Sequence, residues 1–240
     1  MKNLIIVAIF AIFANAHFLT FLPSSDVVTS RDNSKITFDA MFIHPFEQNG
    51  MTMEKPEGIY LENKKVALPL VETKNFDHKG WKSSFQIKKP GVYKFYVQPQ
   101  PYFEEAESKF ISHVPKVIVS AYGLEDGWDE PIGLTYEIVP LTKPFGLYAG
   151  NLFQGKVLYN GKAVSNVKVE VELYNEFGLK APNDAHITQV IKTDDNGVFS
   201  FVMNHKGWWG FAALIENGEK EYKGKKYPIE NGALIWVKAY

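Results

Sequence analysis

Apolar and polar residues alternate with a period of two along much of the chain, which is the spacing of half-buried strands. In Ile36-Thr37-Phe38-Asp39-Ala40-Met41-Phe42-Ile43-His44, the residues Ile36, Phe38, Ala40, Phe42 and His44 share one face. Thr37 and Asp39 take the other, and Pro45 stops the ladder. Further strands are expected at Val92 to Val97, announced by Lys89-Pro90-Gly91, and at Lys116 to Ala121, after Pro115. Between them Tyr102 to Phe110 predicts a short helix, with Glu104 and Glu105 favouring its N-terminal end.

The later part of the chain is patterned more strictly. Asn160-Gly161 is a hairpin signal, and after it Val167, Val169, Val171 and Leu173 alternate with Lys168, Glu170 and Glu172. This predicts a buried valine face and a solvated charged face. Thr193 to Phe201 repeats the order of turn then strand, and Trp208 to Leu214 gives another strand. Adjacent Trp208 and Trp209 must point to opposite faces, so each needs its own cover. The order of these segments resembles the transthyretin-like or carboxypeptidase-regulatory type of small sandwich. The expected fold is all-β: two antiparallel β-sandwich domains, residues 17–145 and 146–240, with the boundary near Pro144 to Asn151.

The first sixteen residues break the strand pattern and read as an export signal. Lys2 is the positive region, Leu4 to Phe13 is an apolar run of ten, and Ala14-Asn15-Ala16 is a small-x-small cleavage site. The run is too short to span a bilayer. A soluble periplasmic protein is expected after cleavage, and its first residue is His17. An α-amine titrates near 8 and an imidazole near 6.5, so around neutral pH one residue offers two nitrogen donors at chelating distance. That grip suits Cu(II), Ni(II) or Co(II).

Composition narrows the remaining chemistry. With no cysteine, the chain is not a disulfide scaffold, a zinc-thiolate module or an iron–sulfur protein. A net charge of −1 gives no basic stripe for nucleic acid. Any metal site must then use nitrogen, oxygen or thioether donors. Beyond His17, the candidates are His44 and Glu47, Met51 and Met53 in the loop that His44 opens, and His113 at a strand entry two residues before Pro115. Imidazole and carboxylate suit Ni, Co, Cu or Zn, whereas paired thioethers lean toward Cu(I) and serve equally as core filler. His78 reads as a surface turn, and Asp184-Ala185-His186 as part of a polar loop.

Several longer motifs belong together: the Ala-His-Phe start, His44-Pro45-Phe46-Glu47 with Met51-x-Met53-Glu54-Lys55-Pro56, Pro101-Tyr102-Phe103-Glu104 through His113, Glu137 to Asn151, and Gly207-Trp208-Trp209-Gly210-Phe211-Ala212-Ala213-Leu214. With these the chain resembles a family of exported bacterial proteins, described as a domain of unknown function, associated with nickel/cobalt uptake as the periplasmic component of energy-coupling-factor-type transporters. The resemblance implies a periplasmic protein that binds Ni(II) or Co(II), with Cu(II) or Zn(II) as alternatives, and that works with membrane uptake components. It carries over His17, His44 and His113 as ligands, and Met51 and Met53 with less use for them at a nickel or cobalt site. A copper-binding protein and a structural or partner-binding sandwich without metal remain open. No Gly-x-Ser-x-Gly or His-Glu-x-x-His is present, and an N-terminal copper brace lacks its surrounding motifs, so no enzyme is expected.

Overall fold

The computed structural model describes residues 18–29, 34–62 and 66–240; the expected signal segment and His17 lie outside them. The described chain forms three stacked sheets. The front sheet has the order β1 (Phe18–Pro23), β3 (Lys35–His44), β8 (His78–Gln86) and β7 (Val71–Asn75), with β4 (Asn49–Met51) also paired to β3. The central sheet runs β16 (Gln189–Lys192), β15 (Lys168–Leu173), β18 (Gly207–Tyr222), β19 (Lys225–Ala239), β11 (Lys109–Ala121), β9 (Gly91–Gln98), β5 (Gly58–Leu61) and β6 (Val66–Ala67). Short strands β2 (Val27–Val28) and β10 (Tyr102–Glu104) also pair with β11. The back sheet is built from β12 (Tyr136–Pro140), β13 (Leu152–Tyr159), β14 (Lys162–Ala163) and β17 (Val198–Val202).

The chain is therefore all-β and packs as β-sandwiches, and the central sheet supplies a wall to each of two cores. From β19, Leu234 and Trp236 enter the front core while Ala233, Ile235 and Val237 enter the back one. From β18, Trp208 and Ala212 go forward and Trp209, Phe211 and Ala213 go back. The segments Trp208 to Leu214 and Ala233 to Val237 therefore read as continuously apolar apart from Gly210, as expected of strand covered on both faces. β11, from the middle of the chain, and β19, its last strand, meet in parallel, with His113 of β11 beside Gly232 of β19. The central sheet takes strands from both sides of residue 145.

Local chemistry explains the turns. Asn160 and Gly161 adopt φ of 50° and 74°, the left-handed pair that a two-residue hairpin requires, and they join β13 to β14. Phe76 and Asp77 at φ 50° and 62° make the turn before His78, which opens β8.

Two expectations fail. Tyr102 to Phe110 is not a helix but a hairpin, β10 turning into β11 through Ser108 at φ 52°. Phe103 lies across from Phe110 with ring centroids 5.1 Å apart, and Tyr222 and Tyr227 stack onto Phe103 at 4.5 and 4.8 Å. Burial of four aromatic rings outweighs the few tenths of a kcal/mol that glutamates add at a helix start. The charged face of β15 is also solvated only at its start: Lys168 is exposed, but Glu170 and Glu172 are 8% and 2% exposed. β15 lies between β16 and β18 rather than at an edge, and the turn after His44 closes over it.

Candidate metal centre

β3 places His44 at its last position, opposite Asn49 of β4, where Pro45 ends the ladder and Pro45 to Gln48 form the connecting turn. Gln48 adopts φ 54° and its amide donates to Pro45 O at 2.5 Å. The turn is tied down from outside as well. Asn175 donates through its backbone N–H to Pro45 O at 3.1 Å and through Nδ2 to Phe46 O at 3.0 Å, and the Phe46 N–H donates to Glu172 Oε2 at 3.4 Å. His44 is thereby held 8% exposed, with Nδ1 3.9 Å from Glu47 Oε2.

Glu172 accepts from the Phe46 N–H and from the Thr188 hydroxyl. Burial pushes its carboxyl up to about 8 against those two bonds, and the neighbouring carboxylates Glu170 and Glu47 add to the rise. At neutral pH it is a neutral acid, so the negative charge next to His44 comes from Glu47. Lys168 Nζ meets Glu170 Oε1 at 2.5 Å.

His113 occupies a different setting. It projects from β11 into the front core and is 4% exposed. Its ring lies flat over Gly232: a Cβ there would fall 2.8 Å from Cγ and 2.9 Å from Nε2. Glu230 Oε1 stands 3.5 Å from Nε2, but the alignment is not that of a hydrogen bond, and both ring nitrogens are buried without a partner. An orphaned buried polar atom costs about 1–3 kcal/mol. Glu230 Oε2 accepts from Lys109 Nζ at 2.6 Å. Burial alone would raise the Glu230 carboxyl, yet it sits at about 2, because Lys109 is bonded to it and a protonated His113 would add to the attraction. Of the two, we assign the larger share to Lys109, whose bond is formed.

The His113 ring lines a cavity of about 30 Å³ together with Leu19, Phe42, Met53, Ile111 and Tyr102. Met53 is 4% exposed; its N–H donates to Lys79 O at 2.9 Å and its carbonyl accepts from Trp81 Nε1 at 3.2 Å. Burial, followed by Glu104 and Glu105, raises the Tyr102 phenol above its ordinary value, so it is neutral. Met51 lies beside Phe42 in the β3–β4 register and packs against the same core without lining this cavity.

The structure thus brings His44 next to Glu47 and His113 next to Met53. Among the described residues no group of three or more His, Asp or Glu side chains is placed to hold one ion. His17 is outside those residues. Sequence reasoning missed Glu172, Glu230, Gly232 and Tyr102. Glu172 stood in a clean alternation that names a face but not its cover; the pairing of Gly232 with His113 left no local signal.

No curated protein sequence matches the chain. Among solved structures, it is similar to the D0-D1 domain of Intimin at 14% identity, covering 92% of this chain and 97% of that one with a TM-score of 0.24. The Yersinia pseudotuberculosis adhesin InvE is 9% identical over 89% of this chain and 58% of that one, at a TM-score of 0.27. The BSP domain of a biofilm associated protein is 11% identical over 90% and 29%, at 0.21. At these scores the alignments carry no argument about function. The sequence model of one family matches residues 14–217, and the chain accordingly belongs to the family described as Domain of unknown function (DUF4198).

Proposed function

We propose that this is an exported, periplasmic protein that binds Ni(II) or Co(II) and passes it to membrane uptake components. In this reading, removal of residues 1–16 exposes His17, whose α-amine and imidazole grip the ion, with His44 as a further nitrogen donor and Glu47 beside it. One observation carries it: β1 begins at Phe18, the residue that follows His17 in sequence, and Phe18 lies opposite Ile43 of β3, the strand whose last residue is His44. A terminal chelator one peptide bond from a strand whose neighbour ends in a nearly buried imidazole is poor structural economy but a good cation trap. Copper(II) competes for any such nitrogen site, and the choice of ion follows availability as much as ligand type.

The test is a titration of the mature protein with Ni(II), Co(II), Cu(II) and Zn(II), set against the same chain with one alanine added before His17. The added residue moves the free amine away and leaves the imidazole. Binding at least tenfold tighter by the unextended chain supports the reading, and equal affinity overturns it. Affinity should also fall below about pH 6.5, as imidazole and amine protonate.

A further inference from the structure

His113 and Met53 are grouped with His17 and His44 by sequence, yet they have a chamber of their own between β1 and β3 on one side and β11 on the other. We propose that this chamber is a separate, buried site for Cu(I), with the His113 imidazole and the Met53 thioether as its two protein donors. The inference extends the metal-binding reading to a second ion and does not depend on His17.

Three observations point the same way. The first is that the imidazole is buried with neither nitrogen hydrogen-bonded, whereas buried polar atoms in folded proteins almost always find partners. It lines the cavity, so the missing partner has a place to sit. The second is Glu230, 3.5 Å from Nε2 and itself fixed by Lys109 at 2.6 Å. A carboxylate beside one ring nitrogen favours the proton there and leaves the other, Nδ1, with its lone pair for a metal. The third is Met53, whose backbone is locked by hydrogen bonds on both sides and which lines the same cavity.

Size and charge select the ion. A cavity of about 30 Å³ takes a bare ion or one water, not a dication with its hydration shell. Hard cations such as Mg²⁺ want six oxygen ligands, and the chamber's lining includes the apolar side chains of Leu19, Phe42, Pro99 and Ile111. One nitrogen and one thioether, both neutral, match a soft monovalent ion, and Glu230 balances its single charge from behind the ring. Exposed Thr52, Glu54 and Gln100 also line the cavity and give it a way in from solvent.

The experiment uses the mature chain under anaerobic conditions with ascorbate-reduced copper, competed against a chromogenic Cu(I) chelator. Wild type should hold one Cu(I) at least tenfold more tightly than Met53→Leu, a swap that keeps volume and removes sulfur, while Met51→Leu behaves as wild type. X-ray absorption on the unmutated protein should show a sulfur neighbour. With no cysteine in the chain, that sulfur is methionine. The alanine extension before His17 should leave Cu(I) binding unchanged even if it abolishes Ni(II) binding, which separates the two sites. Equal Cu(I) affinity in wild type and Met53→Leu, or copper with nitrogen and oxygen neighbours alone, would overturn the proposal. Loss of Cu(I) on extension but not on Met53→Leu would do so as well.

Discussion

Trp208 and Trp209 are consecutive in β18, and their side chains lie in different cores, Trp208 with Phe18 and Trp236 in front and Trp209 with Phe201 and Phe211 behind. The strand's two-residue period requires this, and the central sheet makes it productive by walling both cores at once. Damage to either core therefore reaches the other through shared strands. Trp208→Ala and Trp209→Ala should each cost about 3–5 kcal/mol. In urea, both variants should show one transition shifted to lower denaturant, with tertiary and secondary signals coincident. Two separate transitions, only one of them moved by each variant, would mean that the halves fold independently.

The buried Glu172 carboxyl gives a pH signature of known sign. Its value is about 8 in the folded protein against 4.5 ordinarily, so between those limits the native state keeps a proton that the unfolded chain has released. Its contribution to stability is full below about pH 4.5 and is lost as pH rises through 8, at up to ~1.4 kcal/mol per pH unit. Glu230 works in the opposite sense and only at low pH. Its stabilisation is present above 4.5 and lost as pH falls toward 2, so it is silent in the same window. Glu172→Gln imitates the protonated acid toward Phe46 and Thr188. Urea midpoints from pH 5 to 8 should flatten in that variant relative to wild type, and parallel curves would show that the carboxyl is ionised throughout.

Why some of this was readable and some not comes down to what alternation encodes. It places a side chain on a face, and so it found β3 with His44 at its end, the Asn160-Gly161 hairpin and the opposed tryptophans. It does not say what lies against that face. Glu170 and Glu172 looked solvated because a charged face usually is, but Glu172 is met by the turn carrying Phe46, more than a hundred residues earlier, and by the Thr188 hydroxyl. The segment from Tyr102 to Phe110 misled for a related reason: its glutamates speak for a local helix, while the pairing of Phe103 with Phe110 is rewarded only when Tyr222 and Tyr227 arrive from β18 and β19. His113 was recognisable as a candidate ligand. Its orphaned ring, Glu230 beside it and Gly232 beneath it depend on a parallel pairing of strands over a hundred residues apart, which no window of sequence contains.

Between the central and back sheets, Lys116 Nζ of β11 donates to Glu137 Oε1 of β12 at 2.6 Å, with the two side chains 1% and 2% exposed. The carboxylate also accepts the backbone N–H groups of Ile132, Gly133 and Leu134 at 2.8, 3.0 and 3.2 Å, so it pins the strap before β12. Burial pulls the Lys116 ammonium down and Glu137 holds it up. Removing one partner strands the other charge, and Lys116→Met or Glu137→Gln alone should cost about 3–5 kcal/mol. The double variant should cost less than the sum, because it leaves no unpaired ion. A double-mutant cycle by urea denaturation checks this. Additivity within about 0.5 kcal/mol would show that the pair is not coupled.

Gly232 tests the placement of His113 directly. A methyl group at this position overlaps the imidazole, with Nε2 2.9 Å away, and the backbone between β11 and β18 cannot retreat. The ring has to leave its seat, so Gly232→Ala should destabilise by about 1–3 kcal/mol as an overpacked core does. It should also move the His113 ring signals in a proton–nitrogen spectrum. Once the ring is gone the clash is gone, and in a His113→Ala background the same alanine occupies vacated space and should cost close to nothing. Thermal melting of the four proteins measures the difference. If Gly232→Ala costs the same with and without the imidazole, the glycine answers some need of the backbone instead, and the ring does not rest on it.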